Sequence, residues 1–228
     1  MSEGRVLARD LGHDFTLTLA TQMSTFVHQF RGDAASTRQF AEETVAISTE
    51  KAVAPHMLAA GRIFLGWAAT GNRRGEEEGL EEIRKGLARL DATGVQLRRP
   101  YYLTLYADAC ARTGLVAEGL AILAQALRGA ERRWEAEAHR LSGELLLAQS
   151  AGNRGEAEAC FGRALEVARR QSARSLELRA ATSLARLWGE GGRRADAREL
   201  LTSVYGWFTE GFDTADLRQA KALLEELQ

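Results

Sequence analysis

The sequence predicts an all-α fold, an α-solenoid of about five helical hairpins followed by a closing helix. Three observations carry this. Proline is confined to Pro55 and Pro100, each just ahead of an apolar-periodic segment, where a missing N–H costs nothing at a helix start. Ala, Leu, Glu and Arg dominate the rest, and no alternating run of Val, Ile and Thr reads as a strand. A two-helix pattern also recurs: the anchors Ile47, Leu87, Leu127, Leu165 and Tyr205 are spaced 40, 40, 38 and 40 residues apart.

The elements follow in order as one domain, 1–228. The first hairpin, 14–53, turns at Arg31-Gly32-Asp33, and Ser36-Thr-Arg-Gln39 has capping-box spacing for its second helix. The second, 54–95, is bounded by breaks near Ala54 and Gly94. It turns at Gly71-Asn72 and carries the stripe Leu80, Ile83, Leu87 and Leu90. The third, 96–134, turns at Thr113-Gly114, carries Leu120, Leu123, Ala124 and Leu127, and breaks near Arg133. The fourth, 135–174, turns at Ala151-Gly152-Asn153, with Asn153 as the expected cap. Ala157, Cys160, Phe161, Ala164, Leu165 and Ala168 then make a wide apolar face opposite Glu156, Glu158, Arg163, Glu166 and Arg169. The fifth, 175–212, turns within Gly189 to Gly192. Tyr205, Trp207, Phe208 and Phe212 form an aromatic cluster, in which Trp207, Phe208 and Phe212 are expected to seal the repeat. The closing helix, 214–227, shows a one-sided stripe of Leu217, Ala220, Leu224 and Leu227.

At the other end, Val6-Leu-Ala-Arg9 through Ala20-Thr21 matches Val167-Ala-Arg-Arg170 through Ala181-Thr182 without gaps. Arg5 to Leu11 then correspond to the tail of a second helix, so the chain starts inside a repeat with its stacking face open. A solenoid end needs a polar cap. This predicts either the C-terminal piece of a larger protein or a homodimer through the N-terminal face.

Composition narrows the function. Of 228 residues, 45% are hydrophobic, too many for a disordered chain. The 30 Lys and Arg against 31 Asp and Glu leave a net charge of −1, which argues against a protein that coats nucleic acid. No apolar run is long enough for a bilayer, and Met1 to Leu11 lacks the apolar core of a signal peptide. The two cysteines, Cys110 and Cys160, fit a reduced compartment and a cytoplasmic location.

No residue pattern points to catalysis. The only lysines, Lys51, Lys85 and Lys221, follow no phosphate-cradling glycine loop. His13, His28, His56 and His139 lack metal-ligand spacing, and no Gly-x-Ser-x-Gly elbow occurs. The expectation is no enzyme, no cofactor and no metal. Arginine pairs at 73–74, 98–99, 132–133, 169–170 and 193–194 lie at turns or helix ends. Gathered on one rim they would bind nucleic acid, the alternative function; acidic neighbours and helix C-termini give them ordinary roles instead.

The stretches Arg140 to Leu147, Ala157 to Phe161, Ala164 to Arg170, Leu178 to Trp188 and Val204 to Asp213 resemble tetratricopeptide-like repeats. In particular they are similar to the C-terminal repeat region of bacterial multidomain signalling proteins, which carry an ATPase domain and a nucleotide-cyclase or DNA-binding domain upstream. The resemblance implies a non-catalytic interaction, sensing or scaffold module. Its partner would be a protein, a peptide or an upstream ATPase or cyclase domain, with no membrane. It also implies that the first helix of each pair lines a concave face. On that face Tyr102, Tyr106, Arg140, Glu144 and Arg179 are the candidate partner-binding residues, since tyrosine and arginine combine apolar area with directional donors.

Overall fold

A computed structural model describes residues 2–71 and 75–228. The described residues form twelve α-helices and no strand: α1 Ser2–Asp10, α2 Asp14–Phe30, α3 Ala34–Glu50, α4 Pro55–Ala69, α5 Glu76–Ala92, α6 Arg99–Thr113, α7 Val116–Arg128, α8 Glu135–Gln149, α9 Arg154–Arg170, α10 Arg174–Glu190, α11 Arg194–Tyr205 and α12 Ala215–Glu226. Consecutive helices pack as hairpins, and the fold is an α-solenoid. The chain divides into two compact units, Met1–Thr113 and Gly114–Gln228, between α6 and α7.

In the first unit α2, α4 and α6 meet in an aromatic cluster. Phe26 and Phe64 stand edge to face at 4.9 Å, and Phe26 stacks on Tyr101 at 5.2 Å. The Tyr101 hydroxyl donates to Gln29 Oε1 at 2.6 Å, so neither buried polar group is stranded. α4 and α5 approach closely through glycine: a Cβ on Gly66 would lie 2.4 Å from the Gly79 carbonyl oxygen. α2 and α3 bury hydroxyls rather than aliphatics. Thr18, Thr25, Thr37 and Thr44 each donate to a carbonyl four residues back, which leaves the methyl group to pack.

In the second unit α9, α10, α11 and α12 share one core built on Phe161, Leu178, Leu184, Leu201, Leu217 and Leu223. Phe161 lies against Gly143 of α8, where a Cβ would fall 2.4 Å from the ring. Tyr205 and Phe208 pack on the edge of this core. Trp207 and Phe212 do not seal the repeat as expected; both are exposed, with the Arg174 guanidinium 5.2 Å from the Trp207 ring.

Local signals need three corrections. Asp33, not Ser36, caps α3: its carboxylate accepts from the Ser36 N–H at 3.0 Å, which puts Ser36 inside the first turn. Asn153 stands at the start of α9, but its side-chain amide donates to the Leu146 carbonyl and caps nothing. The internal match is also one residue out of register. His13 N–H donates to Ala8 O and Ala173 N–H to Ala168 O; Gly12 and Ser172 both take the left-handed conformation; α2 begins at Asp14 and α10 at Arg174, 160 residues later. Matching by apolar identity slipped because Thr18 and Thr21 are buried where α10 has Leu178 and Ala181. Asn72 and Arg73-Arg74 lie outside the described residues.

Candidate partner-binding face

On α8, Glu137, Arg140 and Glu144 fall at i, i+3 and i+7, one helical face. The Arg140 guanidinium grips Glu137 through two bonds of 2.8 and 3.0 Å and reaches Glu144 at 3.3 Å. Arg179 of α10 lies 3.5 Å from Glu137 and donates to Asp216 of α12 at 2.7 Å. The Ser183 hydroxyl donates to Glu144 at 2.6 Å. Two guanidiniums and three carboxylates thus form a ladder across α8 and α10, the first helices of two successive hairpins in the second unit, and the closing helix α12.

Burial alone would push the Glu137 carboxyl up. The Arg140 and Arg179 charges overcome that and hold it down at about 2. Burial works against the Arg179 charge too, yet Glu137 and Asp216 raise its pKa above the ordinary arginine value. Glu137 and Arg179 are therefore both charged at neutral pH. The ladder is preorganised: each arginine is held by carboxylates on more than one helix or turn, with most of its donors fixed in direction. Such a face can recognise charged or polar groups.

The structure brings together three of the candidate residues, Arg140, Glu144 and Arg179. The two tyrosines belong to α6 in the first unit. Tyr102 and Tyr106 are each 3% exposed, Tyr102 in the aromatic cluster and Tyr106 accepting a 2.5 Å bond from Arg84 Nε. Neither presents a surface to solvent. Glu137, Asp216 and Ser183 were not foreseen. Glu137 carries a readable signal, a carboxylate three residues before Arg140 on the same face; Asp216 and Ser183 join only through tertiary packing.

Arginines at the helix ends engage local carboxylates. Arg99 bonds Asp91 at 2.7 Å, Arg169 and Arg174 clamp the buried Glu177 at 2.9 and 2.7 Å, and Arg193 holds Glu158 and Asp196. Trp67 and Trp188 repeat one arrangement. Each indole N–H donates to a carboxylate, Asp108 or Glu158, while an arginine, Arg112 or Arg193, stacks on the ring at 4.7 or 4.2 Å. Among the described residues no cluster of His, Cys, Asp and Glu could hold a metal ion, and no helix is long and apolar enough to cross a membrane.

No family model and no curated protein matches the sequence. Solved structures do resemble it. Bacillus thuringiensis PlcR, in complex with the peptide PapR7 and DNA, is 14% identical with a TM-score of 0.71, covering 92% of this chain and 73% of that one. A Podosopora anserina kinesin light chain protein with nearly identical TPR-like repeats is 19% identical at a TM-score of 0.53, covering 92% of this chain and 95% of that one. A second crystal structure of that protein, in a variant form, is 20% identical at 0.54, covering 82% of this chain and 92% of that one. At these identities the likeness establishes the fold, TPR-like helical repeats.

Proposed function

We propose that this chain is a non-catalytic interaction module, a single array of repeats, which binds a peptide or protein segment on the first-helix face of its second unit. The ladder of Glu137, Arg140, Glu144, Arg179, Ser183 and Asp216 carries the reading. A stack of two-helix units needs only apolar contacts to hold together, whereas buried ion pairs seldom add stability over well-packed apolar side chains. Fixed charges on this face are more useful as recognition elements, with Glu144 and Asp216 the accessible acceptors for a basic or amide-rich segment. PlcR, a structure of similar fold, was solved with a bound peptide, which is consistent with this use. The resemblance to C-terminal repeats of bacterial signalling proteins supports a role in cytoplasmic signal transduction. An ATPase or nucleotide-cyclase domain is then the natural source of the partner segment.

Peptides selected from a random display library on the purified chain test this. Their binding is expected to weaken in Glu144→Lys, a change at a partly exposed residue, with circular dichroism used to check that the variant keeps its fold. Peptides that bind the variant and the parent equally would refute the assignment of this face. The local carboxylate partners of the helix-end arginines support protein rather than nucleic acid as the partner.

A further inference from the structure

The turn between α9 and α10 carries a second group of charges, apart from the ladder. Glu177, in the first turn of α10, is 4% exposed, and each of its carboxylate oxygens accepts one guanidinium bond: Oε1 from Arg169 Nε at 2.9 Å and Oε2 from Arg174 Nη1 at 2.7 Å. Arg174 also lies 5.2 Å from the Trp207 ring, and Phe208, at the core edge, meets that ring edge to face at 5.4 Å. Trp207, Arg174, Glu177 and Arg169 are thus linked in that order, from the α11–α12 loop to the end of α9. Glu177 stands two residues from Arg179, so this group and the ladder occupy different faces of α10.

The fold does not require these residues. The α1–α2 turn, 160 residues earlier, closes through the same backbone bonds, with Asp14 and Leu17 where this turn has Arg174 and Glu177. Burying a paired carboxylate gains little over an apolar residue such as that leucine. What Glu177 does is aim two arginines. Arg169 is held through Nε and Arg174 through Nη1. Both Nη groups of Arg169, and Nε and Nη2 of Arg174, then have no hydrogen-bond partner among the described residues. The two side chains are 50% and 43% exposed, and Trp207 is 56% exposed. Two guanidiniums against one carboxylate leave a net charge of +1.

We infer that Arg169, Arg174 and Trp207 form a further binding site, for an acidic segment of a partner protein. One carboxylate side chain of that segment seats on the open guanidinium donors, and an apolar side chain next to it packs on the Trp207 ring. Guanidinium forks match a planar carboxylate, and little ordering remains to be done on binding because Glu177 already holds both arginines. The exposed indole adds apolar contact area, held in place by Phe208. The surplus of one positive charge matches a carboxylate, whereas a phosphate, with close to two negative charges, would over-compensate it.

The probes are three capped peptides, acetyl-Gly-Leu-Glu-Leu-Gly-amide and its counterparts with glutamine or phosphoserine at the centre, titrated into the full chain. Binding is followed by NMR through the backbone amides of residues 169–177 and the Trp207 indole N–H. The glutamate peptide is expected to bind about tenfold more tightly than the glutamine peptide, the loss that follows removal of a charge-assisted pair. Arg169→Gln, which leaves the Arg174–Glu177 pair in place and is checked by circular dichroism, is expected to weaken the glutamate peptide by a similar factor, about tenfold. Trp207→Ala, at an exposed position, is expected to weaken it as well. Absence of binding, equal binding of the glutamate and glutamine peptides, or undiminished binding by a folded Arg169→Gln overturns the inference. Tightest binding by the phosphoserine peptide would make the ligand a phosphate, and a dimer in sedimentation that Trp207→Ala dissociates would make the occupant a second copy; either result also overturns it.

Discussion

Glu137→Gln tests the ladder most directly. The substitution keeps the side-chain shape and removes the charge that Arg140 and Arg179 share. The folded protein holds this carboxyl at about 2 against an ordinary 4.5. At about 1.4 kcal/mol per pH unit, ionised Glu137 contributes on the order of 3 kcal/mol. Removing one member of a buried charge network independently costs about 3–5 kcal/mol, because the arginines left behind are desolvated and under-paired. The sign follows from the depressed pKa. The contribution is complete above 4.5, where the unfolded chain is ionised too, and it disappears as pH falls toward 2. Urea unfolding followed by tryptophan fluorescence reads the second unit through Trp134 and Trp188. The expected result is a variant about 3 kcal/mol less stable at pH 7, with the gap narrowing steadily below 4.5. A gap under about 1 kcal/mol at neutral pH, or one that stays constant into acid, would refute the reasoning.

Other expectations concern packing and protonation. Gly143→Ala places a methyl within 2.4 Å of the fully buried Phe161 ring, so thermal melting should show a net loss of about 1–3 kcal/mol despite the better helix propensity. Gly162→Ala, on α9 with open space around its Cβ, should instead gain about 0.5–1 kcal/mol; a loss there would mean that the α9 surface is covered. Burial disfavours the charged form of His139 and lowers its pKa, an effect that outweighs the pull of Glu135. Stability should therefore decline as pH falls through 6.5, since the unfolded chain takes up the proton more readily. His139→Gln should flatten that slope in denaturant melts, and an unchanged slope would assign it to other groups.

Legibility varied along the chain for identifiable reasons. α9 was plain, because Ala157, Phe161, Ala164 and Ala168 repeat at helical spacing and are all buried. α2 and α3 were harder to place. Their buried faces are Thr18, Thr21, Thr25, Thr37 and Thr44, which look polar in sequence yet direct most of their hydroxyls into the helix backbone. That disguise moved the internal match by one residue. Tyr102 and Tyr106 looked like binding anchors because residue type says nothing of exposure; the structure gives both to the interior.

Periodicity, breakers and a repeat near 40 residues were enough to establish stacked helical hairpins, because burying one apolar stripe per helix is a local property of the chain. The ladder of ion pairs was a matter of tertiary structure. Arg140, Arg179 and Asp216 lie on three helices, and only their packing sets two guanidiniums around one buried carboxylate. Whether a charge is desolvated, paired or free depends on what surrounds it, and those surroundings come from residues distant in sequence.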